Sequence, residues 1–349
     1  LFGDRLMIGN ATGCSSIYGG NLPTTPYTKR PDGRGPSWAN SLFEDNAEFA
    51  LGMRQTVDKF NSTALELLEK LGANAKYASH KKLFDDIKNA DQSTQENIEI
   101  QRKRVADLKN VLQGDSSSEG KSLLSLADYL VVKTVWALGG DGWGYDIGYG
   151  GVDQVLASGE NINIMILDTE VYSNTGGQMS KSTPRGATAQ FAAAGKRTGK
   201  KNIGLIMSTY GNVYVAQISF GANSSQAIKA MLEAESYNGP ALIIAYATCI
   251  AHGSDMTKSS ERQKLAVSSG YWPLYRYNPM LEREGKNPMQ LDCKEPSTSL
   301  GEFEFAENRY RALKQMKPEI AAQLLAEAEQ DVKRRWNILK HWSNWSPAS

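Results

Sequence analysis

Two glycine- and hydroxyl-rich stretches, each preceded by an apolar run, most constrain how this chain can fold. Residues 140–151 have the sequence GDGWGYDIGYGG, and residues 168–178 have the sequence DTEVYSNTGGQ. The runs before them, 129–138 and 161–168, are rich in valine or isoleucine, which is typical of buried strands in a parallel sheet. Loops that leave neighbouring parallel strands at their carboxyl ends form the crevice in which such sheets bind ligands. The two stretches therefore predict one shared binding site.

The polar groups of these stretches suit a phosphorylated ligand with a divalent cation. A helix is predicted over residues 147–156, and the free N–H groups at the start of a helix attract anions. Asp141 and Thr169, which are 28 positions apart, offer a carboxylate and a hydroxyl oxygen, and Mg²⁺ prefers such hard oxygen donors. A lone Gly-Asp-Gly is a common turn. The pair of stretches is therefore more informative than either stretch alone.

Together the stretches resemble the thiamine-diphosphate signature, in which Gly-Asp-Gly and an oxygen ligand just under thirty residues later hold Mg²⁺ and the diphosphate. Thr169 stands where most such enzymes carry Asn. The second stretch, with KRTGKK at 196–201, resembles one family, pyruvate:ferredoxin (or flavodoxin) oxidoreductase. The other stretches similar to the carboxyl-terminal third of that enzyme are GCSSIYG at 13–19, NSLFEDN at 40–46, YATCI at 246–250 and GYWPL at 270–274. The resemblance spans nearly the whole chain.

This resemblance implies roles for individual residues. Asp141, the Thr169 hydroxyl and the Val171 main-chain carbonyl would hold Mg²⁺. Asn174 would reach the substrate, where an amide can hydrogen-bond a carboxylate or a developing oxyanion, although an Asn alone would favour a turn. Trp143 alone would indicate core packing. The residues that would enclose the cofactor's diphosphate are Gly140, Asp141, Gly142, Trp143, Thr169, Glu170, Val171, Tyr172, Ser173 and Asn174.

The resemblance also implies an iron–sulfur cluster, because the family passes electrons one at a time through 4Fe-4S clusters held by thiolates. Cys14 and Cys249 would be two of the four ligands, and the other two would belong to a Cys-x-x-Cys just upstream of residue 1. Buried, inert cysteines are common, so this assignment depends on the fit to the family motifs. Cys293 matches no ligand motif, and we expect it to be a bystander.

Other polar residues receive no firm role from the sequence. His80, His252 and His341 are dispersed and lack an i, i+4 partner, so neither a metal site nor a general base is predicted for them. The basic run 196–201 could bind phosphate, and coenzyme A or an acidic ferredoxin is a candidate partner. Such runs are, however, usually solvated faces.

Composition limits the class of protein. With 349 residues, 40% of them hydrophobic, the chain can bury a substantial core in one large or two small domains. Lys and Arg number 39 against 38 Asp and Glu, which favours neither nucleic acid nor an anionic membrane as partner. No apolar run is long enough to span a membrane, and three scattered cysteines favour a reducing compartment. We therefore expect a soluble, cytoplasmic protein, or one in an organelle of an anaerobic protist.

Strands alternating with helices predict an α/β fold, a doubly wound, mostly parallel sheet with helices on both faces, as in thiamine-diphosphate-binding domains. The expected domain covers residues 1–300, with a helical insertion over about 75–122 and a C-terminal helical extension over 301–349. Because the chain starts with Leu inside an apparent strand, we expect a fragment of a larger enzyme. The other predicted elements are strands at 5–12, 203–207, 214–220 and 241–247, helices at 44–72, 93–112, 187–194, 224–236 and from 318, and a flexible connector at 114–120.

The resemblance implies an enzyme that converts pyruvate, coenzyme A and an oxidised carrier into acetyl-CoA, CO₂ and reduced ferredoxin or flavodoxin. The family is homodimeric and places other essential groups on earlier domains, so the isolated chain is expected to be inactive. Two alternatives stay open. One is a relative that acts on another 2-oxo acid, and the other is a non-catalytic assembly module that retains the fold. The presence of Asp141, Thr169 and Asn174 together argues against the second.

Overall fold

The computed structural model describes residues 2–15 and 29–345. The chain forms two compact units. The first consists mainly of Leu51–Val135, and the second mainly of Trp38–Ala50 and Trp136–Ser349. The predicted boundary at residue 300 stays a prediction, because this division neither uses nor excludes it.

The first unit is helical. Its buried core is lined by leucines such as Leu68, Leu108 and Leu123. Inside this core, the Gln101 side chain donates hydrogen bonds to the main-chain carbonyl groups of Ile87 (3.1 Å) and Leu130 (3.2 Å). The helices are the later part of α1 (Asn46–Gly72), α2 (Lys81–Lys88), α3 (Gln95–Leu112) and α4 (Ser118–Leu126), with 3₁₀ turns at Ala75–His80 and Ala127–Leu130.

An eight-stranded sheet forms the core of the second unit, and its order among the described residues is β2-β1-β3-β4-β6-β5-β7-β8. The strands are β1 (Leu6–Ala11), β2 (Ser37–Ser41), β3 (Thr134–Gly140), β4 (Asn163–Asp168), β5 (Tyr214–Ile218), β6 (Ala241–Tyr246), β7 (Tyr275–Tyr277) and β8 (Met289–Leu291). The pairs β3–β4, β4–β6 and β5–β6 are parallel. Strands β7 and β8 add an antiparallel edge. The predicted mostly parallel α/β architecture is thus confirmed.

The remaining helices of the second unit connect these strands and end the chain. They are α5 (Tyr149–Ala157), α6 (Ile203–Ser208), α7 (Ser224–Ser236), α8 (Ser259–Ser268), α9 (Pro279–Arg283), α10 (Leu300–Glu304), α11 (Asn308–Met316) and α12 (Pro318–Ser343). Helix α12 begins with Pro318 in its first turn, as predicted, and buries Leu324 and Trp336. No helix in residues 2–15 and 29–345 combines the length and the apolar character needed to cross a membrane.

Two predicted elements are wrong. Residues 203–207 form helix α6 instead of a strand, because the Asn202 side chain accepts a hydrogen bond from the Leu205 N–H (3.1 Å) and caps the helix. Residues 187–194 form turns instead of a helix. In this segment Phe191 has a φ of 66° and Gly195, just beyond it, a φ of 76°, values that a right-handed helix excludes.

Other boundaries are displaced. Strand β3 begins at Thr134, after the 3₁₀ turn, whereas the apolar run predicted a start near residue 129. The predicted connector 114–120 ends early, because Ser117 caps α4 by accepting a hydrogen bond from the Gly120 N–H (3.1 Å). Helix α3 is capped by Thr94, whose side chain accepts a hydrogen bond from the Asn97 N–H (3.2 Å), so the helix begins at Gln95, two positions after the predicted start at 93. The sequence also predicts an irregular loop over 19–36, of which residues 19–28 lie outside the described residues.

We expect Gly195→Ala to destabilise the protein by about 2–5 kcal/mol. Gly195 has a positive φ, which costs an L-residue about 1–2 kcal/mol. An added Cβ would also lie 2.7 Å from a methyl carbon of the buried Leu313, and overpacking costs about 1–3 kcal/mol. Gly211→Ala is the matched control, since Gly211 has a similar φ of 74° but no atom within 4 Å of the added Cβ. Urea unfolding should show that this control loses about 1–2 kcal/mol of its free energy of unfolding. Equal losses of unfolding free energy in the two variants would contradict the packing argument.

Candidate functional site

The two glycine- and hydroxyl-rich stretches meet at a cavity of about 490 Å³ at the carboxyl ends of β3 and β4. Their register brings them together, because Gly140 at the end of β3 pairs with Leu167 near the end of β4. The cavity is lined by Gly140, Asp141, Gly142, Trp143, Thr169, Val171, Tyr172, Ser173 and Asn174, and also by Cys14 and Cys249. The structure therefore brings together every predicted site residue except the side chain of Glu170.

The first stretch departs from β3 into a π-helical turn, Gly142–Ile147, which precedes α5. The helix predicted over 147–156 is observed as α5, which begins two positions later, at Tyr149, because the π-helical turn extends to Ile147. Gly142 is required for close packing, because a Cβ at this position would lie 2.3 Å from a ring carbon of Tyr172. Glycine therefore lets the first stretch lie directly against the second.

Asp141, Thr169 and Val171 place three oxygen atoms together at the cavity. The Thr169 hydroxyl oxygen lies 2.9 Å from Oδ1 of Asp141 and 3.2 Å from the Val171 carbonyl oxygen. A hydroxyl carries only one proton, so it cannot donate to both acceptors at once. The three atoms thus form an electron-rich group that a cation would neutralise.

The Asp141 carboxylate is buried, with 1% of the residue exposed. Burial, followed by the negative charge of Asp168, raises the pKa of Asp141 to about 7. The Ser180 hydroxyl donates to its second oxygen, Oδ2, at 2.5 Å, but a hydroxyl supplies no charge. A divalent cation would stabilise the ionised form, and one carboxylate with hydroxyl and carbonyl oxygens is a donor set that suits Mg²⁺. The described residues contain no group of three or more His, Cys, Asp or Glu that could hold a metal.

Cys14 and Cys249 meet at the hydroxyl of Ser173 on the cavity wall. The Cys249 thiol lies 3.0 Å from Oγ of Ser173, and the same hydroxyl hydrogen-bonds the Cys14 thiol. Burial raises the pKa of Cys14, so its thiolate needs a positive neighbour such as iron. Two thiols side by side fit part of a thiolate ligand set. Cys293 lies elsewhere, where its sulfur accepts a hydrogen bond from the Leu274 N–H (3.2 Å).

Asn174 lies at the exposed tip of a tight turn in the second stretch. Two main-chain hydrogen bonds close this turn, from Tyr172 N–H to the Gln178 carbonyl (2.9 Å) and from Gly177 N–H to the Tyr172 carbonyl (2.8 Å). Asn174 lines the cavity from this position. The turn preference and the predicted contact with a ligand are therefore compatible.

Glu170 departs from its predicted place in the cavity wall. Its φ is 62°, a left-handed conformation that costs a non-glycine residue about 1–2 kcal/mol. Its carboxylate is fully buried and accepts hydrogen bonds from Lys200 (2.9 Å), Arg309 (2.7 Å) and the Tyr271 hydroxyl. Only its main chain remains in the predicted diphosphate-binding segment.

The basic run 196–201 is not simply a solvated face, because Lys196 is buried and the side chain of Lys200 is only 11% exposed. Lys196 donates to the carbonyl groups of Ser180 (3.1 Å) and Thr183 (2.6 Å), and burial, followed by the charge of Lys200, lowers its pKa to about 8. Lys200 lies 2.8 Å from Oδ2 of Asp168. No local pattern could reveal these roles, since the carboxylates that Lys200 pairs are 30 and 32 positions away.

His252, to which the sequence assigned no role, supports the second stretch. It is completely buried, and its Nε2 lies 2.7 Å from the Thr169 carbonyl oxygen. Burial, followed by the charge of Arg309, lowers the pKa of His252. We infer a neutral ring that donates its Nε2 proton to this carbonyl, since the carbonyl can only accept. The sequence carries no signal for this contact, which joins residues 83 positions apart.

Comparison with known proteins agrees with this geometry. Residues 124–245 match the family model described as thiamine pyrophosphate enzyme, C-terminal TPP binding domain. That segment includes β3, β4, both stretches and the basic run. A solved 2-oxoglutarate:ferredoxin oxidoreductase from Magnetococcus marinus is 16% identical, with a TM-score of 0.43 over 90% of this chain and 78% of that chain, a likeness too weak to bear on the fold.

Sequence relatives cover almost the whole chain. A pyruvate-flavodoxin oxidoreductase from Trichormus variabilis is 55% identical over 98% of this chain, which corresponds to 29% of that protein. A pyruvate:ferredoxin oxidoreductase from Moorella thermoacetica is 52% identical over 96% of this chain and 29% of that protein. A probable pyruvate-flavodoxin oxidoreductase from Escherichia coli is 49% identical over 97% of this chain and 28% of that protein. The chain therefore belongs to the pyruvate:ferredoxin (flavodoxin) oxidoreductase family and spans less than a third of the length of these relatives.

Proposed function

We propose that this chain is the part of a pyruvate:ferredoxin or flavodoxin oxidoreductase that binds thiamine diphosphate and Mg²⁺. The whole enzyme would decarboxylate pyruvate oxidatively to acetyl-CoA and CO₂ and transfer electrons through 4Fe-4S clusters. One observation carries the proposal: the oxygens of Asp141, Thr169 and Val171 converge at a cavity, where the buried Asp141 carboxylate accepts hydrogen bonds from the hydroxyl groups of Thr169 and Ser180. The names of the relatives agree with it.

In this proposal, Asp141, the Thr169 hydroxyl and the Val171 carbonyl hold Mg²⁺. Thiamine diphosphate, when bound, supplies the carbon nucleophile and the electron sink for decarboxylation. The segment from Thr169 to Asn174, with Gly140, Gly142 and Trp143, encloses the diphosphate and excludes water from it. The Asn174 amide donates a hydrogen bond to the carboxylate or carbonyl oxygen of the substrate.

Cys14 and Cys249 supply two thiolates to a 4Fe-4S cluster in this proposal, and two further thiolates come from elsewhere in the enzyme. The fit rests on the shared contact of both thiols with Ser173. Coenzyme A, the electron carrier, the other domains of the same enzyme and a second copy of it are the proposed partners. We propose a cytoplasmic location, which the reduced thiols of such a site favour.

The main alternative is an enzyme of the same type that acts on another 2-oxo acid. The residues found around the cavity include no Lys, Arg or His side chain that could pair with the substrate's carboxylate. Groups that select the substrate are therefore expected outside these lining residues. Comparing kcat/KM for pyruvate and for longer 2-oxo acids distinguishes the proposed pyruvate enzyme from this alternative. We expect pyruvate to give the highest kcat/KM.

We expect Asp141→Asn to weaken binding of thiamine diphosphate with Mg²⁺ at least about 100-fold in the natural full-length protein. The amide keeps the shape of the side chain but removes the charge that faces the metal, and loss of a residue that merely supports a ligand already costs about 10- to 100-fold. Calorimetry measures the dissociation constant. Asp153→Asn is the control, because Asp153 bonds Tyr210 (2.9 Å) and lies outside the cavity lining. Equal affinities of the Asp141 variant and the unaltered protein would leave a non-catalytic assembly module as the better proposal.

We expect Cys249→Ser to remove one 4Fe-4S cluster, about four iron atoms per chain, because hydroxyl groups are poor ligands for a soft iron site. Iron analysis and the EPR spectrum of the reduced protein measure the loss. Cys293→Ser is the matched control and should retain all of its iron, since the Cys293 sulfur bonds the Leu274 N–H. An unchanged iron content in the Cys249 variant would refute the proposed cluster.

A further inference from the structure

Glu170 has a backbone conformation that only one other non-glycine residue shares in the described part of the chain. It stands between the two proposed metal ligands Thr169 and Val171, whose hydroxyl and carbonyl oxygens lie 3.2 Å apart. Its own side chain is fully buried and is not part of the cavity wall. The left-handed turn at Glu170 thus places both ligand oxygens on the side of Asp141 and the carboxylate on the other side.

The Glu170 carboxylate is held at both oxygens. Oε1 accepts from Lys200 (2.9 Å) and from the Tyr271 hydroxyl, and Oε2 accepts from Nη2 of Arg309 (2.7 Å). The pair with Arg309 joins residues 139 positions apart. Contacts from three separate parts of the chain therefore fix the side chain that the left-handed conformation directs into the protein.

Arg309 is itself held in place by hydrogen bonds to neighbouring residues. It lies at the start of α11, and its Nε donates to Glu307 (2.7 Å). Its carbonyl accepts from both the N–H (2.9 Å) and the hydroxyl (2.7 Å) of Thr188. Its side chain is 4% exposed. Because both ends of Arg309 are held, its guanidinium can restrain Glu170.

We propose that Arg309 is a positioning residue for the metal site. It holds Glu170 in the left-handed conformation and thereby aligns the Thr169 hydroxyl and the Val171 carbonyl with Asp141. This inference rests on the proposed Mg²⁺ site. Without the ion pair, Glu170 relaxes toward the conformations that L-residues prefer, and the two ligand oxygens separate. A purely structural role of the pair would lower stability but leave the metal affinity of the folded protein unchanged.

The test is a titration of Mn²⁺ into the natural full-length protein with saturating thiamine diphosphate, in which the EPR signal of free Mn²⁺ reports occupancy. Arg309→Met should raise the dissociation constant for Mn²⁺ at least about tenfold, as for other residues that orient a metal ligand. Because Arg309 does not line the cavity, kcat at saturating metal should stay within about twofold. Arg309→Lys, which keeps the charge but loses the forked geometry, should recover part of the affinity.

Arg276→Met is the matched control for the loss of a buried ion pair. Arg276 is similarly buried and pairs with Asp292 (2.8 Å) and Glu233 (2.6 Å), none of which belongs to the 169–171 segment. We expect this variant to be destabilised but to bind Mn²⁺ as tightly as the unaltered protein. An equal loss of affinity in the two arginine variants would show general loosening of the fold and overturn the inference.

A second pair of variants tests the conformation itself. Glu170→Gly and Glu170→Ala both remove the carboxylate, but only glycine adopts a φ near 62° without steric cost. Glu170→Ala should therefore bind Mn²⁺ at least about threefold more weakly than Glu170→Gly. If Arg309→Met does not fold, the two Glu170 variants and Arg309→Lys test the inference in its place. Equal Mn²⁺ affinities of Glu170→Ala and Glu170→Gly would overturn the inference.

The unaltered protein separates this inference from the function on which it rests. If it binds no Mn²⁺ in the presence of thiamine diphosphate, the proposed metal site is wrong and the inference is wrong with it. If it binds Mn²⁺ and Arg309→Met binds equally well, only the positioning role is refuted. Loss of affinity in Arg309→Met, with Arg276→Met unaffected, supports both.

Discussion

Burial of three neighbouring carboxylates at the carboxyl ends of β3 and β4 is the constraint on which the rest of this site depends. Asp141, Asp168 and Glu170 are each at most 1% exposed, and a buried carboxylate is strongly destabilising unless a cation pairs with it. Lys200 bridges Asp168 and Glu170, and Arg309 adds a second cation to Glu170. Within the described part of the chain, the hydrogen-bond donors to Asp141 are the hydroxyl groups of Thr169 and Ser180.

The pKa values of these carboxylates reflect that difference. For Glu170, burial raises the pKa, but the charges of Lys200 and Arg309 outweigh it and hold the pKa at about 2. For Asp141, burial and the charge of Asp168 together raise the pKa to about 7. The protein thus supplies cations for the inner carboxylates and leaves the one on the cavity wall in need of a positive charge. A divalent ion bound there would complete the charge balance that the rest of the structure leaves open.

Local patterns in the sequence predict those parts of the structure that depend on neighbouring residues in the chain. They do not predict the parts that depend on contacts between distant residues. The glycine-rich stretches, β4, α7 and α12 were predictable because strand and helix periodicity, glycines and caps act over a few residues. The short apolar run at 203–207 fits a strand as well as a helix, and the cap at Asn202 makes it a helix. The support of the site by Lys200, His252 and Arg309 joins residues 30, 83 and 139 positions apart. Burial alone gives these side chains their roles, and a single sequence does not reveal burial of a charged residue.

The distribution of charge also separates two tasks within the proposed enzyme. The described cavity wall offers oxygen ligands, thiols and the Asn174 amide, but no cationic side chain that would attract the carboxylate of a 2-oxo acid. The cations of this region, Lys196, Lys200 and Arg309, are turned inward, toward carbonyl groups and buried carboxylates. They stabilise the walls of the site and are not free to bind a substrate. Under the proposed function, this part of the chain therefore determines the affinity for the metal and the cofactor, while selection among 2-oxo acids depends on groups that approach the cavity from elsewhere in the enzyme.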